Sequence, residues 1–413
     1  MNSVFSILTD GTVVSPRGYS AAGVAAGLKR NNQPDCALLV SASPATAAAA
    51  FTDSAVAAAP VLYGRDLMSS GQVLRAVFVN SGNANACTGD QGWRDTLATA
   101  GAVARQLRIE PNEVLVSSTG RIGVPLPMDK IIAGVGKAVR GLSPAGGEAA
   151  AAAIMTTDTR PKTAAASLEI DGCQVTVGGM AKGAGMIAPK LVAASARQAT
   201  MLAYVTTDAK VSGAFLEECL CRSLDLSFNR ITVDGDGSTN DTFLALANGQ
   251  AGNHELTAEH PQAAEFAAAF NWLAGYLARA IVLDGEGATR FVELRVHGAA
   301  TVAEARQCAE AVANSVLCKT AWFGGDPNWG RILAAAGCSG VRLQPDRLAL
   351  NIQGVPMVRN GVDAGTPLFE QEKAVATDEL KIDLALGAGD QEFTVWTCDL
   401  SYEYVRINAD YRT

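Results

Sequence analysis

Three histidines in 413 residues restrict the acid–base chemistry this chain can run near neutral pH. His254 and His260 fall in the polar stretch NHELTAEHPQ, which reads as a surface loop and helix start. His297 ends the alternating run FVELRVHG, a strand and its turn. A Ser-His-Asp triad or a three-histidine metal site would have to use these places. Carboxylates, lysine or an α-amino group are the better bases. The nine cysteines form no CxxC pair, and Cys219-x-Cys221 alone makes no structural zinc site. Their odd, scattered pattern fits a reduced cytoplasmic protein in which they serve as small buried hydrophobes. Gly183-Ala-Gly185 lacks the third glycine of a dinucleotide fingerprint, and no GxxxxGK[ST] occurs. The acidic run from Asp234 to Asp241 looks like a calcium loop, but Thr239 replaces its glycine and Ala245 its glutamate. No metal and no nucleotide cofactor is implied.

One segment carries chemistry. GGMAKGAGMIAPKLVAASARQATMLAYVTTDA, residues 178–209, places Lys182 in a glycine-flanked turn ahead of the pair Ala199-Thr200. A small residue followed by threonine, after a flexible stretch, is what self-cleavage by N→O acyl shift requires. The Thr200 hydroxyl attacks the Ala199 carbonyl, an ester forms, and water releases a chain that begins at Thr200. Its freed α-amine, with a pKa of about 8, can act as general base for the hydroxyl on the same residue. That answers the shortage of histidine. Ala194-Ser195 is a second small-hydroxyl step in the same stretch.

The motifs, taken in order, resemble the ornithine acetyltransferase family, the glutamate N-acetyltransferases of arginine biosynthesis. They include PRGYSAAGVAAGLK, VNSGNANACTG at 79–89, SSTGRIGVPLP at 117–127, IMTTDTRPK at 154–162 and AKGAGMIAP at 181–189. ATMLAYVTTDA at 199–209, SFNRITVDGDGSTNDT at 227–242, DGEGATRF at 284–291, DPNWGRIL at 326–333 and the terminal CDLSYEYVRINADYRT complete the set. The resemblance implies a self-processing, N-terminal-threonine-nucleophile fold. Thr200 is then both cleavage residue and nucleophile, with the Thr119 hydroxyl and Gly120 N–H as oxyanion donors. Substrate contacts fall on Thr156, Lys182, Thr200, Glu286, Asn408 and Thr413. Lys182 suits an α-carboxylate and Glu286 an ammonium group. The link from Pro189 to Ala199 is longer here than in the family pattern.

The implied reaction moves acetyl from N-acetyl-L-ornithine to L-glutamate by a ping-pong route, with acetyl-CoA left open as a second donor. The implied assembly is two alpha chains (1–199) and two beta chains (200–413), each pair one intertwined catalytic unit. Competing readings are a self-processing aminopeptidase or amidase, an uncleaved amino-acid-binding protein, and an acetyltransferase of secondary metabolism.

The elements that must hold these residues read as a layered α/β chain, an α+β sandwich. CALLVS, RAVFVNS, EVLVSST, CQVTVGGM and NRITVDG are short, β-branched strands. Apolar spacing of three and four predicts helices over 90–107, 148–155, 213–228, 261–283 and 301–317, the last with a Thr301–Glu304 capping box. Strands return at VRLQ, LALNIQG, EFTVWTCDLS and YVRINADY, whose alternation predicts an edge strand from Tyr404 through Asn408. The length suggests two or three domains, with the alanine-rich piece 142–153 as a boundary. A net charge of −8 without a basic stripe disfavours nucleic acid and anionic membranes as partners. No run of 18 strongly apolar residues predicts a transmembrane helix, and the N-terminus lacks a signal peptide's features.

Overall fold

A computed structural model describes residues 4–71, 73–189, 191–193 and 201–410. The chain divides into two compact units: Met1–Asn229 with Asp236–Ile281, and Arg230–Gly235 with Val282–Arg412. None of the junctions falls at residue 199 or in 142–153, and the latter stretch overlaps a helix whose Ala150, Ala151, Ala153 and Ile154 are buried in the first core.

The first unit is built on strands β1 (Ser6–Ile7), β2 (Tyr19–Val24), β3 (Cys36–Phe51), β4 (Leu74–Asn83), β5 (Val114–Arg121), β6 (Lys162–Ile170), β7 (Cys173–Lys182), β8 (Val192–Ala193), β9 (Leu202–Thr207) and β10 (Thr242–Ala247). Their order is β1-β6-β7-β9-β10-β3-β4-β5, with β2 and β8 also paired to β3. Helices α1 (Ala59–Ser69), α2 (Gly89–Leu107), α3 (Met128–Arg140), α4 (Gly147–Ile154), α5 (Gly213–Leu226) and α6 (Ala263–Leu283) layer on this sheet. The β6–β7 hairpin turns on Asp171-Gly172, both at positive φ, the type I′ geometry that matches strand twist. Gly178 and Gly179 allow close approach: a Cβ would sit 2.3 Å from Thr12 O on the first and 2.9 Å from Leu277 Cδ1 on the second.

That leucine belongs to α6, a 21-residue helix long and apolar enough, by length and composition, to cross a membrane. The apolar residues are distributed for a core. Phe266, Phe270, Leu273, Leu277 and Ile281 recur at three- and four-residue spacing and are fully buried, and Phe270 packs on Phe243 of β10. Glu265 and Arg279 interrupt the run, so the sequence shows no uninterrupted 18-residue apolar stretch.

In the second unit, β11 (Phe291–Ala299), β12 (Ala349–Ile352), β13 (Val355–Arg359), β14 (Val362–Asp363), β15 (Glu379–Ala385) and β16 (Gln391–Cys398) lie in the order β14-β13-β12-β15-β11-β16. Its helices are α7 (Val302–Ala313), α8 (Val316–Gly324), α9 (Trp329–Gly337), α10 (Leu368–Val375) and α11 (Tyr402–Asp410). One half of the expected capping box is present, the Thr301 hydroxyl accepting from Glu304 N at 3.2 Å. The helix expected over 301–317 breaks after Asn314, where Ser315 caps a second helix through Cys318 N. NRITVDG is not a strand: a 3-10 turn over Phe228–Arg230 leads to a single bridge between Ile231 and Trp396. VRLQ also forms no strand. YVRINADY is helical up to Asp410, which replaces the expected edge strand.

Candidate active site

Strand β5 carries Thr119 and Gly120, the two residues expected to donate to an oxyanion. Ser118 and Thr119 are buried, and Gly120 stands at φ +127° with its backbone pressed against β4. A Cβ there would lie 2.5 Å from Gly82 C and 2.7 Å from Asn83 N, so only glycine fits. Lys182, the last residue of β7, is 4% exposed, and its Nζ donates to Thr119 Oγ1 at 3.4 Å. This pairing brings two of the expected residues into contact. It leaves the Thr119 hydroxyl proton available for a further acceptor and polarises the oxygen that carries it.

Asp158 ties the third expected segment to the same place. Its carboxylate accepts from Thr156 N (3.0 Å), Gly183 N (2.7 Å) and Lys162 Nζ (2.7 Å). Burial alone would raise its pKa, but the charges of Lys162 and Lys182 and these hydrogen bonds outweigh it and hold the carboxyl below the usual carboxylate range. Asp158 lies inside the quoted TTDT motif, so its presence was visible in the sequence and its role was not. Lys29 feels the same cluster: burial lowers its ammonium to about 8 against the raising effect of Asp35 and Asp158, with Lys182 adding to the depression.

The strand that begins just past the proposed cleavage position sits beside these residues. Thr242 N donates to Met201 O at 2.8 Å, and β9 and β10 then run parallel with Leu202 opposite Thr242. Asp241, just ahead of β10, is 1% exposed, and neither of its carboxyl oxygens has a hydrogen-bond partner among the described residues. The neighbouring Thr52 hydroxyl gives its proton to Ser238 O instead (2.6 Å). Burial raises the Asp241 pKa well above the ordinary value. Ala199 and Thr200, the alternative step Ala194-Ser195, and Thr413 lie outside the described residues.

In the second unit Asn408 of α11 donates to Glu286 Oε2 at 2.7 Å, so the structure joins these two expected substrate contacts. The DGEGATR loop that carries Glu286 is anchored by the chain's last segment. Asp399 accepts from Thr289 N (2.8 Å) and Arg290 N (3.0 Å), and Ser401 Oγ donates to Gly287 O (2.6 Å). The nine cysteines are free thiols. Burial pushes Cys219 up to about 12 and Cys308 to about 11, which suits packing and not nucleophilic attack.

A sequence profile of the ArgJ family matches residues 20–413. The chain belongs to the ArgJ family. The arginine biosynthesis bifunctional protein ArgJ of Symbiobacterium thermophilum is 50% identical over 409 residues, covering 98% of this chain and 99% of that protein. Its Geobacter sulfurreducens counterpart is 49% identical over 398 residues, covering 96% and 99%. The crystal structure of the Bacillus halodurans protein superposes with a TM-score of 0.50 at 41% identity, covering 51% of this chain and all of that one. This ArgJ-family protein is an acyltransferase of arginine biosynthesis, and the aminopeptidase or amidase and amino-acid-binding readings are not favoured.

Proposed function

We propose that the chain cuts itself between Ala199 and Thr200 and then carries acetyl from N-acetyl-L-ornithine to L-glutamate on the Thr200 hydroxyl. The observation that carries this reading is the buried 3.4 Å bond from Lys182 Nζ to Thr119 Oγ1. It sets a cation suited to an α-carboxylate beside a donor suited to an oxyanion. In the first half-reaction the α-amine of Thr200 takes the hydroxyl proton as Oγ attacks the acetyl carbon. The developing oxyanion accepts from Thr119 Oγ–H and Gly120 N–H, each worth on the order of 3 kcal/mol in the transition state. The C–N bond then breaks, the proton passes from the α-amine to the departing ornithine nitrogen, and acetyl-threonine remains. Glutamate's amine attacks that ester and the steps run in reverse.

Thr156 and Lys182 receive the amino acid's carboxylate. Glu286, oriented by Asn408, receives an ammonium group, and the family resemblance makes Thr413 a further substrate contact. Acetyl-CoA serves in this reading as a second donor to the same threonine. The cleaved chains assemble as two alpha and two beta chains in the cytoplasm.

Intact mass spectrometry tests the reading. Wild-type protein should consist of fragments 1–199 and 200–413, with an acetyl adduct on the second after N-acetylornithine alone is added. Thr200→Ala should stay whole and inactive, and Thr200→Ser should cleave slowly. Normal cleavage of Thr200→Ala would end the proposal.

A further inference from the structure

The oxyanion donors sit where the β4–β5 ladder loses its register. Ser81 pairs with Thr119 and Gly82 with Gly120, and Asn83 then pairs with both Thr119 and Arg121. An irregularity of this kind re-aims side chains beside a site, and it must be held from outside the ladder. Asn240, in the GSTNDT motif, holds it with one carboxamide. Its Nδ2 donates to Ala84 O (2.6 Å), just past the end of β4, and to Ser118 O (2.8 Å), immediately before Thr119. Its Oδ1 accepts from Thr239 Oγ1 at 2.5 Å, and the residue is 5% exposed. Both amide hydrogens are therefore committed, in a fixed fork, to the two sides of the irregularity. From β4, Asn80 Oδ1 accepts from Ser118 Oγ (2.7 Å) while its Nδ2 donates to Asn83 O (2.8 Å). Ser118 is gripped by its carbonyl and its hydroxyl together.

We infer that Asn240 is a positioning residue for acyl transfer: by pinning the Ala84 and Ser118 carbonyls it fixes where the Thr119 hydroxyl and Gly120 N–H point. The inference rests on the oxyanion role proposed for those two donors. It adds a consequence for the processed enzyme. A cut after Ala199 puts Ser118 on one fragment and Asn240 on the other, so the donor geometry of the first fragment is set by a side chain of the second.

A double-mutant cycle on the cleaved enzyme, with rates expressed per cleaved chain, tests this. Asn240→Ala should lower kcat for acetyl transfer about 30-fold with KM within about twofold, since the donors act in the transition state. In a Thr119→Ala background the same substitution should cost less than about fivefold, because the hydroxyl it aims is gone. Asn240→Ser, which keeps one donor, serves if the alanine variant does not fold, and should fall between the two. Equal losses in both backgrounds, a loss confined to KM, or an unchanged kcat would overturn the inference. A Thr119→Ala enzyme with full kcat is a separate result, which removes the oxyanion reading itself.

Discussion

Two buried aspartates of the first unit sit at opposite ends of the carboxylate range, and their contributions to stability run in opposite directions with pH. Asp158 is held low, so its stabilisation is complete above the unfolded value near ~4 and disappears as pH falls towards the folded value. Asp158→Asn removes the charge facing buried Lys162, and the expected loss at pH 7 is about 3 kcal/mol. Urea unfolding should show that gap closing below about pH 4, and a gap that persists there would refute the ion pair's role. Asp241 is held high, so folding grows less favourable as pH rises from the unfolded value towards the folded one. Asp241→Asn, made in the uncleaved Thr200→Ala chain, should raise Tm by at least about 2 °C at pH 8 and by less at pH 5. A lower Tm at pH 8 would mean that the carboxylate has a stabilising partner. Thr119, Gly120 and Lys182 were legible in the sequence because their motifs recur in a known family. Asp158, Asn240 and Asp241 lay in quoted motifs as well, but Asp158's bond to Gly183 and Asn240's bonds to Ser118 and Ala84 span 25 to 156 residues, Asp241 has no hydrogen-bond partner among the described residues, and spacing along the chain does not report that.

At the scale of elements, periodicity located β4, β5, β7, α2 and α6, passed over the wholly buried β9 and β10 and the helix α3, and failed again where local polar contacts decide. The helix α11 buries none of its residues, so no apolar stripe marked it, and the β-branched alternation of YVRI pointed to a strand. Its local contacts are Ser401 Oγ accepting from Glu403 N (3.2 Å), the Glu403–Arg406 pair and Asn408 Nδ2 donating to Tyr404 O (3.0 Å), and Asn408 Nδ2 and Tyr404 OH tie it further to Glu286 and Asp234. The 301–317 run was read as one helix because its apolar spacing continues through Val312 and Val316, while Asn314-Ser315 acts as a C-cap followed by an N-cap. The helical turn of α11 changes how Asn408 works. Its amide reaches Glu286 from a helix face instead of an alternating strand face. Asn408→Ala should therefore raise KM for both amino-acid substrates about tenfold with kcat within about twofold, since it removes binding common to ground and transition states. Tm should fall by less than about 2 °C, because no core packing is lost. Steady-state kinetics with an unchanged KM would make the end of the chain a dispensable tail.

On the scale of the whole molecule, the proposed cut does not follow the division into units. Fragment 1–199 contributes β1 through β8 to the first sheet, and fragment 200–413 contributes β9 and β10. Those two strands lie in the middle, with β9 against β7 and β10 against β3, six residue pairs on each side. Every residue of both strands is buried. Without them the remaining strands fall into two groups, β1-β6-β7 and β3-β4-β5 with β2 and β8, each ending on an unpaired apolar edge. The expectation is that the fragments stay associated after self-cleavage, co-eluting on native size exclusion and separating only in denaturant. Fragment 1–199 expressed alone should aggregate or remain unfolded, because neither group can bury its faces. Co-expression with a chain starting at Thr200 should restore a cooperative unfolding transition. Urea unfolding followed by circular dichroism decides it: a cooperative, monomeric 1–199 fragment would show that the sheet closes without β9 and β10, contrary to their central place in the strand order.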